Sequence, residues 1–300
     1  ANFGVAAGDV GKLYSGHVHC ICGGSIPSGT KLADGSVHTC QNVVYKAASS
    51  ISNVSANTNV YLTQNVTLGG QITMKGAYTY NLCLNGHTIT AFEGKRVMMV
   101  AKGGTLNLTD CNEKPGMLTG GTQAWGAGVN INAGGVFNMF GGKISGNKCL
   151  ENSGGIGAIY VQGAGATFNM YGGSISGGMT KNNGGNVYIS TDCVFNMYGG
   201  EITAGSAGEA GDCVYVNSAK CKVTVAGNVI LPDVYVTVDP ANVLTVDTTA
   251  AAFTGSVQLT SPLNDKGILV DMTCDSTFFA DAALGTLNIG SQWNEAEQNF

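Results

Sequence analysis

The residues best placed to do chemistry sit near the start of the chain, in His17-Val-His19-Cys20-Ile-Cys22-Gly-Gly and His38-Thr-Cys40. Three of the four histidines and three of the ten cysteines fall within residues 17–40. Cys20, Cys22, His38 and Cys40 make a Cys3His set, with His17 and His19 as candidate substitutes. Zinc takes four nitrogen or sulfur ligands in a tetrahedron, and two close pairs joined by a loop supply them. The Cys-x-Cys spacing is tighter than the usual finger pattern. Disulfide bonding is the alternative, and an oxidising compartment favours it. Either chemistry is structural, because four protein ligands leave a zinc ion no open position.

Acid–base catalysis on a glycoside needs two carboxylates facing one bond. Asp192, Glu201, Glu209 and Asp212 are the only acidic concentration in the regular part of the chain, and none recurs one repeat away. The counterparts of Glu201 are Lys143 and Ser174. Solvated turn charges account for this pattern, and no catalytic residue is expected.

The elements that must position these groups announce themselves by repetition. Phe168-Asn-Met-Tyr-Gly-Gly-Ser-Ile-Ser-Gly recurs almost letter for letter from Phe137 to Gly146 and from Phe195 to Thr203, with starts 31 and 27 residues apart. A second motif keeps step: Gly128-Val-Asn-Ile, Ala158-Ile-Tyr-Val, Asn186-Val-Tyr-Ile and Cys213-Val-Tyr-Val. Alternation within each segment is the signature of a strand with one buried face. Phe and Met point inward, while Asn138, Asn169, Asn196 and the tyrosines point outward. Gly-Gly then turns the chain sharply. No leucine ladder is present, and glycine interrupts every candidate helix. Two or three short strands per repeat of roughly 24–31 residues predict a right-handed parallel β-helix, an all-β solenoid stacked at about 4.8 Å.

Stacking places equivalent residues over one another. Cys193 and Cys221 each precede their coil's first inward residue by two positions. A one-coil spacing of about 4.8 Å falls inside the window of roughly 4.4–6.8 Å that a disulfide accepts between Cα atoms. They are therefore the best cross-coil staple, with two buried thiols as the alternative. Asn107, Asn138, Asn169 and Asn196 form either an amide ladder or part of a ligand-binding face. Tyr160, Tyr188 and Tyr215 are a candidate ligand face that would stack on sugar rings, set against ordinary cross-strand packing.

Length and composition agree with one long solenoid plus caps. Glycine is 46 of 300 residues, about twice the usual share of roughly 7%. Only 11% of residues are charged, the net charge is −5, and Arg96 is the single arginine. The scattered lysines leave no basic stripe for nucleic acid. No aliphatic run is long enough to span a bilayer. Low charge and many cysteines suit an extracellular or cell-surface location. The expected organisation is a leader at 1–16, a Cys/His module at 17–45, the β-helix at 46–231, and degenerate coils with a C-terminal cap at 232–300. The first coils near Val60 have no evident cover, and the leader has the small residues to lie along a neighbour's edge as an added strand.

Leu82-Cys-Leu-Asn-Gly-His-Thr-Ile, read as an early copy with Leu82 and Leu84 in the Phe and Met places, precedes the Phe-Asn-Met-Tyr-Gly-Gly repeats. Together they resemble the glycine-rich β-helix proteins of bacterial surfaces, grouped with pectin-lyase-like folds. The resemblance covers about residues 60–230, and the His-x-His-Cys-x-Cys-Gly-Gly head resembles a small module found before such repeats. It implies a fold rather than an activity. Lyases of this fold use calcium-binding aspartates with a basic residue, yet Arg96 has no aspartate within ten residues. The expectation is a non-catalytic structural or adhesive scaffold with a structural zinc or disulfides in its head, able to self-associate. The alternative is a protein that binds or degrades a surface glycan.

Overall fold

The computed structural model describes residues 3–4, 14–15, 17–24, 26, 28–30, 36–40, 42–149, 156–238, 243–247, 255–260, 268–273 and 286–287. Among them every regular element is a strand, and they form a β-solenoid of about six turns. No helix among the described residues is long and apolar enough to cross a membrane.

A representative coil runs Met98–Val100, Thr105–Thr109 and Met117–Thr119. The next runs Val129–Ile131, Val136–Met139 and Lys143–Ser145. Each strand pairs in parallel with its counterpart one coil on, so three flat faces grow along the rod. The corner between the second and third faces depends on the Gly-Gly pair. Gly142, Gly173 and Gly200 stack there at φ +81°, +86° and +90°. A Cβ on Gly173 would also strike the carbonyl of Gly142 and the side chain of Met139. Only glycine meets both demands.

In-register stacking turns sequence positions into columns. Tyr80, Leu106, Phe137, Phe168, Phe195, Val223 and Leu244 form one inward column. The three phenylalanines have no exposed surface, and their rings stack at 5.1 and 5.2 Å. Leu82, Leu108, Met139, Met170 and Met197 form the column beside it. The expected places of Leu82 and Leu84 are thus corrected by two residues: Tyr80 and Leu82 hold the Phe and Met positions. A two-residue slip keeps the inward–outward alternation, so periodicity alone cannot detect it.

That register lengthens the asparagine column at its start. Asn81 donates to Asn59 at 2.7 Å, and Asn107 to Asn81 at 2.6 Å. Asn138 donates to Asn107 at 2.7 Å, Asn169 to Asn138 at 2.8 Å, and Asn196 to Asn169 at 2.8 Å. One amide per coil gives each interior rung both a donor and an acceptor partner.

On the second face the first edge is covered, contrary to expectation. Asn42–Ala48 pairs in parallel with Thr58–Leu62, and His17–Cys20 adds to it antiparallel. The strand Asn42–Ala48 runs across the expected 45/46 boundary, so head and solenoid share a sheet. At the far end Leu244–Asp247 stacks in parallel, and pairing then turns antiparallel at Val246 with Leu287 and at Ser256–Thr260 with Ile268–Thr273. Of the leader, Phe3–Gly4 and Tyr14–Ser15 pair antiparallel with each other. Its other residues, and with them the expected docking onto a neighbour, lie outside the described set.

Two stability measurements test the columns. Phe168→Ala opens a cavity between two stacked rings and should cost about 3–5 kcal/mol in denaturant melts; a loss below about 1 kcal/mol would place the ring outside the core. Asn138→Ala strands a donor and an acceptor, whereas Asn196→Ala, at the column's end, strands one acceptor. With each stranded group worth about 1–3 kcal/mol, Asn138→Ala should be the more destabilising, and equal losses would contradict a continuous ladder.

Candidate metal centre

The strand His17–Cys20 leads into a turn closed by the Gly23 amide on the Cys20 carbonyl at 2.9 Å, with Gly23 at φ +62°. Gly29 donates to the His38 carbonyl and His38 to the Thr30 carbonyl, both at 2.7 Å. This pairing folds His38 and Cys40 back onto Cys20 and Cys22. Cys20 and Cys22 Sγ lie 3.3 Å apart, Cys22 and Cys40 Sγ 3.7 Å, and Cys20 Sγ lies 3.8 Å from His38 Nε2. A tetrahedral zinc site with Zn–S of about 2.3 Å and Zn–N of about 2.05 Å has edges of roughly 3.5–3.8 Å. The four donor atoms lie within 4.8 Å of one another, positioned to bind a metal ion.

Burial and hydrogen bonding pull the proton affinities of this group in different directions. Burial pushes the Cys20 thiol up to about 12. Burial also raises Cys22, but hydrogen bonding at the Ile26 backbone, the Cys20 thiol and the Gly24 backbone brings it below its ordinary value. Burial lowers the His38 pKa, which favours the neutral ring that ligates metals. Cysteines bind a metal as thiolates, so thiols at such a site release protons as it takes up a cation.

The solenoid supplies the floor of the head. The aromatic after each Phe-Asn-Met points outward, and Phe140, Tyr171 and Tyr198 stack at 5.1 and 5.6 Å. Cys20, Cys22 and Ile26 pack with Phe140 in a small apolar cluster of their own, joined by Ile21 and Tyr171. Gly23 lies so close to Thr109 that a Cβ would collide with its Oγ1. The aromatic column is therefore the surface on which the head rests.

His17 and His19 are not substitutes in this cluster. They are grouped instead with Cys83 and Cys111, two cysteines of the solenoid that the sequence reading left aside. The hydrogen bond with Cys83 holds the Cys111 thiol far below its ordinary value, against burial and with help from His17. The same bond, together with burial, raises Cys83.

The other candidate residues are placed as follows. Cys193 and Cys221 are buried and free, so the staple expected between them is not formed. They are register-equivalent, since Val194 pairs with Lys222, and equivalent side chains on parallel strands leave in the same direction rather than toward each other. Each thiol instead meets backbone carbonyls, Cys193 that of Gly163 at 3.3 Å and Cys221 that of Ser190 at 3.0 Å. Tyr188 stacks with Tyr215 at 5.0 Å and Tyr215 with Tyr235 at 5.4 Å, while Tyr160 meets Tyr188 edge-on. Tyr188 and Tyr215 are 8% and 9% exposed. Their ring faces, which a sugar would need, are given to one another.

The acidic residues are engaged separately. Glu201 stands over Ser174 and Lys143 in a shallow groove on the third face. Glu209 accepts from Asn183 at 2.7 Å, and Asp212 from the Ala207 amide at 2.7 Å. Asp192 sits at a turn with φ +61°.

Burial pushes the Cys193 thiol up to about 12 and raises Cys221 as well. A raised thiol pKa means less thiolate at pH 8. Neither should take up iodoacetamide in the native protein, and both should after denaturation without reductant. Failure to label the denatured chain would reveal a Cys193–Cys221 bond. Compared with protein-family models, with curated proteins and with solved structures, the chain has no match.

Proposed function

We propose that this chain is an extracellular, non-catalytic structural or adhesive β-solenoid whose head is closed by one structural zinc ion on Cys20, Cys22, His38 and Cys40. The observation that carries the scaffold reading is that the outward columns are bonded to themselves. The asparagine amides run from Asn59 to Asn196 as one hydrogen-bonded series. The tyrosines from Tyr188 to Tyr235 stack on each other. Groups that could recognise a ligand instead hold adjacent coils together. The resemblance to glycine-rich surface β-helix proteins agrees with this use.

Zinc is the ion that the donor set favours, three sulfurs and one imidazole nitrogen with tetrahedral edges. Four protein ligands give it a structural role. Self-association belongs to the same proposal, and the pairing of His17–Cys20 on Asn42–Ala48 directs it away from that edge.

The test has two arms. Protein purified without chelator or added metal should contain zinc, and Cys40→Ser should lose the head's share of it; zinc-free protein with labelled Cys20, Cys22 and Cys40 would sink the assignment. A panel of acidic and neutral polysaccharides should show no turnover. Turnover abolished by Glu201→Gln or Asp192→Asn would replace the scaffold with an enzyme.

A further inference from the structure

We propose that the chain has a second metal centre, formed by His17, His19, Cys83 and Cys111, which fastens the head to two successive coils of the solenoid. Its ligands come from segments far apart in sequence. His17 Nε2 lies 2.9 Å from Cys111 Sγ and 3.5 Å from Cys83 Sγ, and the two sulfurs are 3.4 Å apart. The donor atom of His19 completes a group lying within 4.8 Å.

Each ligand is held by something other than the site itself. Cys83 ends the strand Thr79–Cys83, on the outward side shared with Asn81. Cys111 follows Asp110, whose carboxylate accepts from the amides of Gly86 at 3.1 Å, Asn112 at 2.9 Å and Gly116 at 2.6 Å. The His17 ring lies flat on Tyr61 at 4.3 Å, and the His19 ring on Tyr45 at 4.3 Å. The arrangement is that of a ligand set with its supporting shell in place.

His19 gives the clearest sign that the group takes a cation. Its Nδ1 donates to the Cys20 carbonyl, which fixes the tautomer with a lone pair on Nε2. That Nε2 is buried and has no hydrogen-bond partner. A network of thiols and imidazoles alone leaves it stranded, which is costly. A tetrahedral cation uses it, and a donor hydrogen bond on the opposite ring nitrogen is the usual support for a metal-bound histidine. Two thiolates and two neutral imidazoles suit a thiophilic divalent ion such as zinc.

This centre does not depend on the head cluster, and metal counting separates the two. The full chain, reduced and reconstituted with excess Zn(II) or Co(II) and then desalted, should hold two ions. Cys111→Ser and His17→Ala should each hold one; the Cys111 side chain is exposed, so its loss leaves the core intact. The Co(II) absorption of Cys111→Ser should then be that of a three-thiolate site, and that of Cys40→Ser a two-thiolate site. Hydrogen exchange across residues 17–24 should rise in Cys111→Ser while the coils beyond Phe137 stay protected. One ion in both the parent and Cys111→Ser would overturn the proposal. So would a Cys83–Cys111 disulfide that persists under reductant and metal. If the parent holds one ion, Cys111→Ser none and Cys40→Ser still one, the head assignment fails and this one stands.

Discussion

Parallel pairing in register is the constraint on which everything else in this molecule depends. Once each strand bonds to its counterpart one coil away, like side chains stand over like along the rod. A residue type that tolerates its own copy at about 4.8 Å is then favoured and repeated. Phenylalanine satisfies this inside by ring stacking, and asparagine satisfies it outside because an amide is both donor and acceptor. Glycine satisfies it at the corners, where Gly142, Gly173 and Gly200 share one left-handed conformation. Charges do not satisfy it, which explains why Lys143, Ser174 and Glu201 differ within one column.

The same rule creates the problem that the head solves. Stacking makes the position after Phe-Asn-Met into an outward apolar strip of Phe140, Tyr171 and Tyr198. A strip of this kind needs cover. The head is too short to build a core of its own, and segments of its size are held by metals or disulfides. It borrows Phe140 as its floor and uses Cys and His side chains where a larger domain would use hydrophobic ones.

How far the sequence could be read follows from where the information lies. The all-β solenoid, the phenylalanine column and the asparagine ladder are local, repeated patterns, and residues 137–203 display them three times over. The Cys3His set is equally readable, because its members lie within 21 positions. What escaped reading was register between unlike repeats. Aligning Leu82 and Leu84 with Phe and Met hid Asn81 as a rung, and it hid Cys83 as an outward residue at the head's edge. His17 and Cys111 are 94 positions apart, and nothing local joins them. One signal was present: Cys83 and Cys111 are separated by 28 residues, one repeat, which places them on neighbouring coils. The free thiols of Cys193 and Cys221 teach the converse. One-coil spacing brings Cα atoms near enough for a bond, but the parallel direction of their side chains sends each sulfur to a carbonyl instead.

The two Cys/His groups therefore differ in what must fold before they can exist. Cys20, Cys22, His38 and Cys40 are brought together by a turn and a short backbone pairing within one segment. Such a site can assemble as soon as that segment closes. Cys83 and Cys111 meet only after their coils have stacked in register and Asp110 has tied down the intervening loop. His17 and His19 reach them only after His17–Cys20 has paired with Asn42–Ala48. The second group is thus conditional on the first three coils and on the head at once. A ligand set of that kind links the stability of the head to the register of the rod: a slipped coil separates Cys83 from Cys111, and a displaced head removes both histidines. Local closure gives the head its shape, and the conditional contact gives it its place on the solenoid.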